Sequence, residues 1–556
     1  MEEAQGLEDR QAAKRISGSW VFSMPLTLAR FYKTHAFILP SSLIVLCVFT
    51  WFITYGTWRL FVPEDEQSSF ADLFYDAQAI SLLNGRLDVP PEAIGFEAFV
   101  YKGKYYGYFG IVPALLRLPV LGLFPGMEGR CNRVLMVIAC AGTIWAIHLL
   151  IRLIRLLFQT STEVSGYEKI IYSLFVLLGG LGSTHIFLAS RSFVYHEAII
   201  WGAVFALYFY YYYLLFLIYS QTKHLILAGI FSILTFHCRA TFGAGAMVSL
   251  GCLVFLNLIL GFCNWRLPPS MQRLQAIPRY FGFPPQTNKL LNSFIAVVFI
   301  GITVGCYFLI NYAKFETING MPLDRYIRFD YFDQPKNLKL IQGQMFHISN
   351  FRMCCFNLFS PTSIEFSEFF PWVYMAKDPV VYPESKLENW DDFSSLTAGM
   401  PALFLFSLFG LAAGFLDRSL GRKKKLRLPI LGAFAGALLQ LFFCSLAERY
   451  VHEFYPLIIL AGVAGLEKIM TMRNWKLRSF SFAIILPFVA FSIYANWAFT
   501  LYYQRNNLVH QGYLNKWSGE KSIEFQKWCI EIDRYFLGNI GNHEIMILHP
   551  DLPIED

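Results

Sequence analysis

The stretch 36–58, AFILPSSLIVLCVFTWFITYGTW, carries no charged residue. The hydrocarbon core of a bilayer is about 30 Å thick, and a helix needs about 20 apolar residues to cross it. This stretch therefore reads as a transmembrane span. Ten more of the same kind follow, at approximately 131–151, 168–190, 196–219, 224–239, 241–263, 290–313, 396–416, 428–447, 453–470 and 479–503. The expected architecture is all-α and polytopic, with eleven spans. No internal repeat and no broken pair of half-helices is expected.

Composition points the same way. The chain has 556 residues, of which 55% are hydrophobic and 15% charged, whereas soluble domains carry about 25% charged residues. The net charge of +7 does not imply nucleic-acid binding, because its Lys and Arg cluster at the edges of apolar runs. Those runs hold Cys47, Cys140, Cys252, Cys306 and Cys444, where a thiol behaves as a small hydrophobe. With no CxxC pair, a structural metal site is not expected. Residues 1–33 are polar and the first apolar run has full spanning length, which does not read as a signal peptide.

The basic residues set the orientation. Arg10, Lys14, Arg15, Arg30 and Lys33 precede the first span, and Arg152 and Arg155 follow the second. Arg266, Arg273 and Arg279 follow the sixth, Arg418 to Arg427 the eighth, and Lys468 to Arg478 the tenth. With eleven spans every cluster falls on one side, as the positive-inside rule requires. The expected layout is a cytoplasmic segment 1–35, a membrane domain 36–503 with exterior loops 59–130 and 314–395, and an exterior tail 504–556.

The first exterior loop is the most informative of these. It holds Glu64-Asp65-Glu66, then a helix expected between Ser68 or Ser69 as cap and Asn84-Gly85 as stop. On it Phe70, Leu73, Phe74, Ala77 and Ile80 share an apolar face, and Asp72 and Asp76 stack four residues apart. That pattern suits an interfacial helix holding its acids at headgroup depth. A hairpin turning at Lys102-Gly103 and a second interfacial segment at 111–123 follow. Further ionisable groups recur at the outer ends of spans: Arg191, His196 and Glu197; His237 and Arg239; Glu448, Arg449, His452 and Glu453. Charges at that depth pair with one another or line a cavity. Arg191, Arg239 and Arg449 suit a phosphate, because a guanidinium fork binds oxygens bidentately. A cationic pocket beside a carboxylate fits sugar transfer from a lipid phosphate, with one acid as base and inversion at the anomeric carbon.

The segments Asp72-Leu73-Phe74-Tyr75-Asp76-Ala77-Gln78-Ala79, Glu97-Ala98-Phe99, Gly103-Lys104-Tyr105-Tyr106-Gly107-Tyr108-Phe109-Gly110 and Glu448-Arg449-Tyr450 resemble those of the GT-C superfamily of polytopic membrane glycosyltransferases. The resemblance implies a polyprenyl-phosphate-linked sugar as donor and a glycan, glycolipid or protein as acceptor, with the bilayer itself as a partner. It implies Asp72 and Asp76 as catalytic acids, with Asp72 preferred as base. Arg191, Arg239 and Arg449 would hold the donor phosphate. Glu97, Tyr106, His196, Glu197, His237, His452 and Glu453 would bind or orient substrate. Some members use a divalent metal, so Mg²⁺ or Mn²⁺ is a possible cofactor. The absence of any Asn-x-Ser/Thr sequon favours a bacterial inner membrane over the endoplasmic reticulum. The competing expectations are a lipid or glycan transporter or flippase, a ligase-like transferase with a diphosphate-linked donor, and a non-catalytic scaffold.

Overall fold

A computed structural model describes residues 35–62, 70–124, 126–159, 163–262, 276–283, 288–327, 344–416, 421–510, 528 and 531–536. The acids Glu64-Asp65-Glu66, the caps Ser68 and Ser69, the basic residues before His35, Arg266, Arg273, Arg418 and nearly all of the C-terminal tail lie outside the described residues.

The chain is mostly helical. Its principal helices are α1 (Leu39–Ile53), α2 (Phe70–Leu83), α3 (Asn132–Phe158), α4 (Gly166–Leu181), α5 (Val194–Tyr219), α6 (Thr222–Phe236), α7 (Ala240–Phe262), α8 (Lys289–Phe315), α9 (Pro401–Phe415), α10 (Arg427–Leu438), α11 (Tyr455–Met470) and α12 (Trp475–His510). Three two-stranded pieces accompany them: β1 (Phe99–Tyr101) with β2 (Lys104–Tyr106), β3 (Ile364–Phe366) with β4 (Val373–Met375), and β5 (Asn389–Trp390) with β6 (Ser445–Leu446).

Helices stand at all eleven expected positions, but only seven among the described residues are long and apolar enough to cross a membrane. Two of the others, α6 and α9, stop at 15 residues, and α11 at 16. Pro401 explains α9: it opens the helix at its first position, where its missing N–H costs nothing, so 396–400 form a separate turn. A further departure concerns the third span. It breaks after α4 at Gly182-Ser183, and the chain resumes as Thr184–Ser190 at 42°. The Ser183 hydroxyl accepts from the His185 N–H and so caps the new helix. A broken span was not expected, because the apolar run continues through the break.

The helix layer is closed by small residues. A side chain at Gly410 would overlap the Ala461 carbonyl, and one at Gly465 the Phe406 carbonyl. Glycine at both positions lets α9 and α11 pack backbone to backbone, the usual solution where lipid removes the hydrophobic drive between helices.

The first loop folds onto this layer. Its hairpin turns at Lys102 (φ 50°) and Gly103 (φ 74°), as the two-residue turn requires. Gly110 then lies against α6's end so closely that any side chain would overlap the His237 carbonyl. That carbonyl accepts from Val112 N–H at 3.1 Å. Helix α2 differs from the expected surface helix. Leu73, Ala77 and Ile80 remain partly exposed, whereas Tyr75, Asp76, Gln78, Ala79 and Ser81 are buried. Its polar face turns inward because the short helices Val112–Leu115 and Leu118–Leu123 and the start of α5 cover it and present a buried cation there.

Candidate active site

That cation is Arg117, which is fully buried. All five of its N–H donors are used. Nε donates to Asp76, Nη1 to the Pro113 carbonyl at 2.9 Å and to Glu197 at 2.7 Å, and Nη2 to Asn132 at 2.7 Å and to Glu197 at 2.8 Å. The second Asp76 oxygen accepts from the Gly129 N–H. Both oxygens of Asp76 and both of Glu197 are thus committed. Asp76 is therefore not the free acid expected of a catalytic residue, and both Glu197 oxygens face Arg117. They anchor the loop to α5, since a buried guanidinium is tolerated only when its charge and all its donors are matched.

Asp72, one turn earlier, is placed quite differently. Its carboxylate is 28% exposed, and Arg191 Nε stands 3.7 Å away, beyond hydrogen-bond distance. Its buried oxygen Oδ1 has no hydrogen-bond partner among the described residues. Burial pushes its pKa above the ordinary carboxylate value, while Arg191 and Arg133 pull the other way. Its backbone carbonyl accepts from the Asn132 side chain, so the network around Arg117 fixes the position of an acid it does not itself neutralise.

Two tyrosines extend the site. The Tyr55 phenol lies within electrostatic reach of Asp72, Arg191, Arg133 and Tyr503. Tyr503 lies within reach of Asp391, Asp392, Arg449 and Arg191. Asp391 pairs with Arg449. Burial raises the pKa of its neighbour Asp392, with Lys377 opposing. Asp391 and Asp392 come from the segment 314–395 and were missed in the sequence. Beside them Glu448 accepts from Ser394 N–H at 2.5 Å and Ser394 Oγ at 2.9 Å. Burial still pushes its pKa up to about 7.

The three expected phosphate-binding arginines line one aromatic floor. Arg191 lies over Phe193 at 4.3 Å, Arg449 over Tyr195 at 5.2 Å and Tyr450 at 4.9 Å, and Arg239 over Tyr450 at 5.7 Å. They are not equally available. Arg239 Nε donates to Glu453 at 2.5 Å, and Glu453 is completed by the Thr241 hydroxyl at 2.6 Å. That pair ties α7 to the chain before α11. Arg449, by contrast, keeps a buried Nε with no hydrogen-bond partner among the described residues.

The remaining expected residues scatter. Glu97 accepts from the Tyr326 hydroxyl and lies beside Tyr195 and Tyr108, at the rim of the same floor. Tyr106 packs edge-on against Phe315 at 5.4 Å in a separate aromatic cluster. His452 bonds Thr184 at 2.8 Å and stacks on Tyr455 at 4.3 Å, deep behind the break in the third span. His196 is fully buried between Phe187 and Tyr503. His237 serves through its backbone carbonyl. Of the twelve residues expected at the site, Asp72 and Arg449 each keep a buried polar atom with no hydrogen-bond partner among the described residues, and Arg191 stands beside Asp72.

No protein-family model and no curated protein matches the chain. Among solved structures it is similar to the oligosaccharyltransferase of Archaeoglobus fulgidus. The apo form superposes with a TM-score of 0.43 at 15% identity, covering 86% of this chain and 59% of that one. The same enzyme with an inhibitory peptide and a dolichol-phosphate gives 0.42 at 14%, covering 86% and 59%. Its complex with Zn and sulfate gives 0.43 at 13%, covering 93% and 58%. The chain thus spans a little under three fifths of the length of these structures, and no residue is assigned from them.

Proposed function

We propose that this protein is an inverting glycosyltransferase of the GT-C kind. It moves a sugar from a polyprenyl-phosphate donor to an acceptor hydroxyl, on the membrane face opposite the cytosol. The observation that carries the reading is the contrast between two carboxylates four residues apart: Asp76 fully committed to Arg117, Asp72 open and facing Arg191. In this reading Asp72 takes the proton of the acceptor hydroxyl as its oxygen bonds to the anomeric carbon. The bond from that carbon to the phosphate oxygen breaks on the opposite face, and its electron pair leaves with the phosphate. Arg191 and the open Nε of Arg449 stabilise the charge that develops. Arg239 and Glu453 hold the floor in place. No three His, Cys, Asp or Glu side chains among the described residues group as a metal site, and Asp72 faces arginines rather than a second acid. The described residues alone offer no Mg²⁺ or Mn²⁺ cage.

The test is consumption of radiolabelled polyprenyl-phosphate sugars by the purified protein, with the anomeric configuration of the product read by NMR. Turnover of at least one donor with inversion is expected, and Arg449→Lys should lower it about 10- to 100-fold, since a charge-assisted hydrogen bond is worth about 1.5–3 kcal/mol. Consumption of no donor, or retention of configuration, sinks the reading. A specific observation keeps transport as the second reading: the break in the third span, because discontinuous helices mark transport sites. Movement of lipid-linked sugar across proteoliposomes without product would favour it.

The pH profile carries a sign. A base works only when ionised, so activity should fall as pH drops through the Asp72 pKa. Arg191 lowers that pKa, and Arg191→Gln should move the acid limb of kcat/KM to higher pH, whatever it does to the maximum rate. An unmoved limb assigns the base elsewhere. Orientation is tested separately by a phosphatase reporter, expected to be active after Asp556 and inactive within 422–427 if the N-terminus is cytoplasmic.

A further inference from the structure

Arg152 lies twenty residues along α3 from Asn132, which at 1.5 Å per residue is about 30 Å, one hydrocarbon thickness from the candidate active site. Arg117, Arg191, Arg239 and Arg449 each stand beside a carboxylate. Arg152 makes no ion pair with any described residue; its Nη1 instead reaches the two ring nitrogens of His35 at 3.2 and 3.4 Å. His35 Nδ1 stands 2.7 Å from His148 Nε2, and Trp145 lies 5.2 Å from the His35 ring. Beside this group opens a cavity of about 170 Å³, lined by His35, Ile38, Leu39, Ser42, Ile144 and Trp145. Apart from the rings of His35 and Trp145 its walls are aliphatic except for Ser42, whose buried hydroxyl has no hydrogen-bond partner among the described residues; the far nitrogen of His148 likewise has none. Leu39, 46% exposed, stands at the mouth.

We propose that this is a binding site for an anionic phospholipid, with the phosphate on Arg152 and the His35–His148 pair and one acyl chain in the cavity between α1 and α3. An uncompensated guanidinium at a membrane edge calls for an anion, and basic pockets between spanning helices are where anionic headgroups bind. The apolar cavity selects a lipid over a free anion, and the orphan Ser42 hydroxyl sits where an ester oxygen would complete it. A zwitterionic lipid is a poorer match because it brings its own cation to Arg152. The site stands apart from the proposed catalysis and would survive its failure.

Native mass spectrometry of the full-length protein in detergent, titrated with phosphatidylglycerol or phosphatidylcholine, tests this. The wild type should retain one phosphatidylglycerol about five-fold or more tighter than phosphatidylcholine, as one basic side chain is worth about 1 kcal/mol at a lipid surface. Arg152→Gln should abolish the preference. Leu39→Trp, which fills the cavity and leaves the cation alone, should weaken both lipids. Leu43→Trp, on the same helix, 59% exposed and outside the cavity, should change neither. If Arg152→Gln does not fold, Leu39→Trp set against Leu43→Trp decides. Equal retention of the two lipids by the wild type, a Leu39→Trp variant that binds as the wild type does, or displacement of phosphatidylglycerol by inorganic phosphate would each overturn the proposal.

Discussion

Asp72→Asn should abolish glycosyl transfer while the protein inserts at wild-type levels. Loss of a general base costs about 10²- to 10⁴-fold, and asparagine keeps the shape of the side chain without its basicity. Folding should be spared because Asp72 Oδ1 makes no hydrogen bond among the described residues and Arg191 stands at 3.7 Å, so asparagine breaks no side-chain hydrogen bond of that oxygen. The measurement is initial rate of donor consumption at saturating acceptor, with expression checked on the same membranes. Asp391→Asn should be the milder change, since it loosens Arg449 rather than removing the proton acceptor. Full activity in Asp72→Asn with loss in Asp392→Asn would move the base to the segment 314–395 and leave the reaction class standing.

The second large effect is on folding. Arg117→Met leaves Asp76 and Glu197 buried without their cation, and leaves Asp76 with only the Gly129 N–H as a donor. Breaking a buried pair from one side costs about 3–5 kcal/mol, a large share of a typical stability of about 5–15 kcal/mol. Little folded Arg117→Met should reach the membrane, judged by size-exclusion chromatography after detergent extraction. The triple variant Arg117→Met/Asp76→Leu/Glu197→Leu should recover, because replacing all charges removes the penalty together with the bridge. If the single variant folds as well as the wild type, the network is not what holds the loop to α5.

How much of this was readable beforehand follows from the range of each interaction. Helix positions were legible because each is marked by a local run of apolar residues. Span lengths were not, because Pro401 and the Gly182-Ser183 break lie inside runs whose hydropathy does not change. Asp72 was legible as an acid beside an apolar anchor. That Asp76 differs from it was not: both share a helix face, and only a guanidinium 41 residues away separates their roles. One signal was there to be read. Arg117 interrupts the apolar stretch Pro113 to Pro119, and a lone charge in such a stretch asks where its counter-ion lies. Asp391 and Asp392 gave no comparable sign, since acids in a long polar loop are ordinary.

The bridge through Arg117 also sets an order of events during synthesis. Arg117 and Glu197 are 80 residues apart, and the ribosome adds about 5–20 residues per second. For roughly 4–16 s after Arg117 is made its main counter-ion does not yet exist, and α2 has no finished surface to settle on. A cation fully matched in the mature protein has, for that interval, Asp76 as its one carboxylate partner in the network and two guanidinium donors still waiting for Glu197. The step at which α5 arrives therefore closes the first loop, and a nascent chain stalled before residue 197 should carry that loop open to protease while its first spans are already in place.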